Sequence, residues 1–134
     1  MIQGYAPAPV PDALVLAAAR RWREARDGGR PVQRALHTLF EPEGCAMLAP
    51  VFDSLMRLCE SRFDHKLCTG CVLAPSVDEH LLCRLLADPS LLDRIGPCRL
   101  GSGMDRAFAC ALHSTRIMLS MIRDDTQDVK GRLQ

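Results

Sequence analysis

Turn-forming residues cut this chain at short intervals, and each segment between the cuts repeats its apolar residues at helical rather than strand spacing. The cuts fall at Gly28-Gly29, at Glu41-Pro42-Glu43-Gly44, across 64–75, at Pro89 and at Gly96-Pro97. Asp12 can cap a first helix to about Asp27, on which Leu14, Ala18, Trp22 and Ala25 share a face, so Trp22 is expected as a core anchor. Pro31 suits the opening of a second helix carrying Val32, Ala35, Leu36, Leu39 and Phe40. A third, from about Cys45 or Pro50 to Phe63, buries Val51, Phe52, Leu55, Met56, Cys59 and Phe63 and turns Asp53, Arg57, Glu60 and Ser61 outward.

The fourth helix is announced by Ser76-Val77-Asp78-Glu79, in which Ser76 and Glu79 can satisfy each other's free backbone donors. It should run to about Asp88, where Pro89 stops it, with Val77, Leu81, Leu82, Leu85 and Leu86 on its buried face. The fifth, about Gly103 to Asp124, is apolar around most of its circumference and is expected at the centre. No segment of useful length has the two-residue period of a strand. The fold class is therefore all-α: about five helices packed as a single small bundle around a mostly apolar C-terminal helix. Residues 1–11, with Pro7, Pro9 and Pro11, form a flexible arm, 12–125 the domain and 126–134 a polar tail.

Composition narrows the function. At 134 residues the chain can bury a core without disulfide or metal support. An aromatic fraction of only 4% among 48% hydrophobic residues suits helix interiors. The N-terminus lacks the basic and apolar regions of a secretory signal, and no window has the roughly 18 apolar residues of a membrane span. A cytoplasmic protein is expected, in which seven cysteines, an odd count, serve as thiols or metal ligands rather than disulfides. A formal net charge of +1 gives no global attraction for nucleic acid or an anionic membrane. The arginine-rich stretch Arg20 to Arg34 reads as a solvated helix face.

The spacing Cys68-x2-Cys71-x8-His80-x2-Cys83 offers two ligand pairs on either side of a short loop, the usual way a small chain supplies zinc with four tetrahedral donors. Gly70 stands where a tight turn around an ion would need it. His80 and Cys83 lie three apart in the opening turns of a helix, so they point the same way and share its positive end. Over residues 68–83 the arrangement resembles the knuckle-plus-helix half of a treble-clef zinc site. It lacks that family's β-hairpin between the pairs and the proline and glycine around the knuckle cysteines. Cys45, Cys59 and Cys110 read as small apolar side chains.

A second candidate is the polar stripe of the fifth helix, where Arg106, His113 and Arg116 could bind a small anion. Nothing resembling a nucleophile elbow, a His-Glu-x-x-His pair or a Walker loop occurs, and the four histidines sit on separate elements, so an enzyme is not expected. Three functions follow in order: a helical interaction or assembly module with a homodimer or protein partner, a domain with structural zinc, and a helical pocket for a small anion.

Overall fold

The computed structural model describes residues 12–70, 74–96 and 101–133, and side chains within 13–122 of those spans. It is an all-α bundle of five helices: α1 (Asp12–Asp27), α2 (Val32–Phe40), α3 (Leu48–Phe63), α4 (Val77–Ala87) and α5 (Ser102–Leu133). Short 3₁₀ segments at Glu41–Glu43 and Pro89–Arg94 extend α2 and follow α4. The breakers act as their chemistry dictates. Gly44 closes the first 3₁₀ turn at φ 76°, a left-handed conformation that costs glycine nothing. Asp64 ends α3 in the same region at φ 58°, which aspartate tolerates better than most side chains.

α1 packs on α2 and α2 on α3, α3 makes its largest contact with α5, and α1 touches α3 more lightly. α4 bridges α1 and α5. The core is continuous: Trp22, Leu36, Phe40, Leu48, Phe52, Leu55, Met56, Leu82, Leu85, Leu86, Phe108 and Leu112 are fully buried. Phe40 meets Phe52 edge-on at 5.8 Å between ring centroids, and Phe63 meets Phe108 at 6.0 Å. Trp22 is the anchor its spacing implied, and its indole Nε1 donates to Asp53 Oδ1 at 2.9 Å. Asp53 is buried and also accepts from Arg57 and Gln33. This corrects its assignment to the outward face of α3, because an indole N–H taken into the core needs an acceptor there.

α5 departs from its expected place. Phe108, Leu112, Thr115, Leu119 and Ile122 face the core, but the opposite side is exposed and covered by nothing among the described residues. That exposed side carries Ile117 and Met121 in line with the small residues Ala107, Cys110 and Ser114, and among the described residues it has no partner. Its backbone also continues to Leu133, beyond the Asp124 end that the apolar pattern suggested. Of the cysteines that read as small apolar side chains, Cys59 is buried, Cys45 is half-buried and Cys110 is exposed. No helix among the described residues is long and apolar enough to cross a membrane.

Candidate functional site

The Cys68–Cys83 segment is held by carboxylates. After Asp64 the chain leaves α3, tucks Leu67 into the core and runs back across the first turn of α4. Three acids from two helices receive successive loop amides. Leu67 N–H donates to Glu60 (2.9 Å), Cys68 N–H to Asp78 (2.8 Å) and Gly70 N–H to Glu79 (2.8 Å). Ser76 Oγ donates to the Cys68 carbonyl at 2.6 Å and accepts from Glu79 N–H at 3.0 Å, so the helix cap also fastens the loop. Gly70 is also required sterically. A Cβ there would lie 2.6 Å from the backbone nitrogen of Ser76 and closer still to the Ala74 carbonyl. Its hydrogen is required by the neighbouring chain.

Glu79 is the centre of this network. Its carboxylate is fully buried, completes the capping box through Ser76 N–H (2.9 Å) and receives Arg20 Nε at 2.8 Å and Arg20 Nη2 at 3.2 Å. Burial pushes its carboxyl up, but hydrogen bonds from Arg20, Ser76 and Gly70, with the charge of Arg20, outweigh burial and hold it below the ordinary range. On α3, Glu60 acts in the same way, pairing with Arg23 at 3.0 Å and with Arg26. The arginines of α1 are therefore not the solvated face expected of them. Arg20, Arg23 and Arg26 tie α1 to α3 and α4, while Arg21 is exposed. Val77 was assigned to the buried face of α4 and is 83% exposed, with Glu79 buried in its stead. Glu79 stands three and seven residues before Leu82 and Leu86, so helical spacing itself carries it inward and leaves Val77 on the other side.

His65 sits on the same loop. Its Nδ1 lies 3.0 Å from the Phe63 carbonyl and its Nε2 3.1 and 3.2 Å from the two Asp78 oxygens. Both ring nitrogens thus face acceptors, which only the doubly protonated ring satisfies. The Phe63 carbonyl first, then Asp78, raise its pKa above the ordinary histidine value.

Of the four zinc ligands read from the sequence, Cys68 and His80 are exposed and Cys83 is half-buried at the margin of the core. Cys71 lies outside the described residues. Among those described, no group of three or more His, Cys, Asp and Glu side chains is arranged to hold an ion. Of the anion stripe, Arg106 and His113 are exposed and Arg116 is half-buried; the Ser90 hydroxyl first, with the charges of Arg94 and then Arg116, holds the Asp88 carboxyl below its ordinary range.

Beside that stripe runs the uncovered apolar face of α5. Ala107, Cys110, Ser114, Ile117 and Met121 are all exposed, Ile117 at 58% and Met121 at 59%. Their steps of three and four residues place them in one line about 21 Å long, on the side of the helix away from the core. No family model matches the chain, and no characterised protein or solved structure is significantly similar to it.

Proposed function

We propose that this chain is a non-enzymatic assembly module that associates with a second copy of itself through the outer face of α5. The observation that carries the reading is the line from Ala107 to Met121. It has the three-and-four spacing of a coiled-coil seam, while Phe108, Leu112, Thr115, Leu119 and Ile122 already serve the bundle's own core. A helix that merely closes a bundle has no use for a second apolar line opposite its buried face.

The order of sizes along the line favours self-pairing. Its first half is small (Ala107, Cys110, Ser114) and its second half large (Ile117, Met121). Two copies laid antiparallel set the large half of each against the small half of the other, and the helices close at even spacing. A parallel pair would crowd one end and gap the other. Such a contact, one helix face per copy, falls in the small class of interfaces, for which micromolar association is expected. Sedimentation of the wild type across the micromolar range, beside Ile117→Glu/Met121→Glu, tests it. A monomer–dimer equilibrium lost in the double variant supports the reading, and a wild type that sediments as a monomer throughout overturns it.

A structural zinc bound by Cys68, Cys71, His80 and Cys83 is the second reading. It is supported by the contacts of Cys68 with Ser76 and Asp78, which press the knuckle against the helix that bears His80 and Cys83. Intact mass spectrometry under native conditions, on untagged protein purified without chelator, checks it. One zinc per chain, released on unfolding, is the supporting result; metal-free folded protein overturns it.

A further inference from the structure

A second surface is built by a different pair of helices. Where the start of α3 passes beneath α2, an open groove of about 440 Å³ has an apolar floor of Ala46, Met47, Ala49 and Pro50 and a polar wall of Arg34 and His37. Met47 is 73% exposed, and methionine's unbranched, polarizable side chain adapts readily to an incoming apolar surface. The wall is charged on one side. Among the described residues the Arg34 guanidinium, on the wall of the groove, has no hydrogen-bond or ion-pair partner. His37 stands 3.6 Å from Glu41, which leaves Arg34 as the uncompensated charge beside the apolar floor.

We infer that this groove docks a short amphipathic segment of another protein, one that lays apolar side chains across Met47 and presents a carboxylate to Arg34. Charge disfavours two occupants the chain itself provides, residues 1–11 and the outer face of α5 on a second copy. Residues 1–11 contain no acidic side chain, so they offer Arg34 nothing. The outer face of α5 is flanked by Arg106, so a second copy docked through that face would bring cation to cation there. An acidic helix with apolar residues three and four apart satisfies both the floor and the wall.

The test is fluorescence anisotropy of the full chain with a labelled helical peptide carrying leucines at i, i+3, i+4 and i+7 and glutamates on the flanking positions. A control peptide has lysines in place of the glutamates. Expected is binding in the micromolar range by the glutamate peptide only, weakened about 5-fold or more by Arg34→Glu and by Met47→Ser. Both positions are on the surface, so the variants should keep the wild-type circular dichroism and melting temperature. Equal binding of the lysine peptide, or binding indifferent to both variants, overturns the inference. Absence of binding also overturns it, as does self-association that Met47→Ser alone abolishes, which would make the occupant a second copy.

Discussion

The Glu79 carboxylate accepts from Nε and Nη2 of Arg20 and from the amides of Gly70 and Ser76, so a neutral side-chain amide in its place would face donors with a donor. Glu79→Gln should therefore cost on the order of 3 kcal/mol, the loss expected when one partner of a buried pair is removed, read as a lower urea midpoint with unchanged slope. The sign of its pH dependence follows from the depressed carboxyl. That contribution is complete above the unfolded value of about 4.3 and is lost as pH falls through the folded value, so the variant should show a flatter acid limb below about pH 4. His65 has the opposite sign. Its raised pKa stabilises fully below about pH 6.5 and fades as pH rises through the folded value, a decline that His65→Gln should abolish. Thiol chemistry separates the cysteines by place. Burial first, then the charge of Asp78, push the Cys59 thiol up to about 12, while Cys68 and Cys110 are exposed. Timed alkylation of native protein followed by peptide mapping should label Cys68 and Cys110 before Cys45 and Cys83, and Cys59 only on unfolding. The burial of Cys59 was legible because its step of three and four from Leu55 and Met56 needs no knowledge of partners. The fate of Glu79 was not, since its pattern speaks only of a cap and Arg20 lies 59 positions away.

At the scale of elements, the N-terminus of α4 and the loop that crosses it form one mechanical unit. The loop backbone hangs on Glu60, Asp78 and Glu79, and Gly70 permits the close crossing over 74–76. Gly70→Ala should thus destabilise by about 2 kcal/mol or more, since backbone rather than a yielding side chain stands in the way. Hydrogen exchange should show Leu67, Cys68 and Gly70 amides losing protection together in that variant, whereas Gly103→Ala, where a Cβ meets nothing, should leave them unchanged. The five helices were legible because glycine, proline and capping residues punctuate the chain, and α1 and α4 keep the ends read for them. Faces were harder. Hydropathy put Val77 inside, but at helical spacing Glu79 shares the face of Leu82 and Leu86, three and seven residues on, and Val77 falls on the other side. On α5 the same reading saw an apolar cylinder and placed it at the centre. Hydropathy reports that a face avoids water; it does not report whether the chain itself provides the cover.

For the whole molecule that distinction becomes a measurable one. If the outer line of α5 is covered by a second copy, folding and association are linked, because the dimer contact exists only between folded chains. The melting temperature must then depend on protein concentration. For a dimer of about 10 µM dissociation constant, raising the chain from about 2 to about 200 µM should lift the midpoint by on the order of 2–4 °C in a domain of this size. Ile117→Glu/Met121→Glu should melt at one temperature throughout, because both side chains are more than half exposed and their loss leaves the core of Phe108, Leu112 and Leu119 intact. Core disruption would look different: a lower midpoint at every concentration, still rising in parallel with the wild type. Ala107→Leu separates the antiparallel arrangement from a generic sticky face. Enlarging the small half should weaken pairing by crowding the large half of the second copy, whereas a nonspecific apolar patch would gain affinity from the added surface. A concentration-independent wild-type midpoint would leave the second apolar line of α5 without a role in self-association.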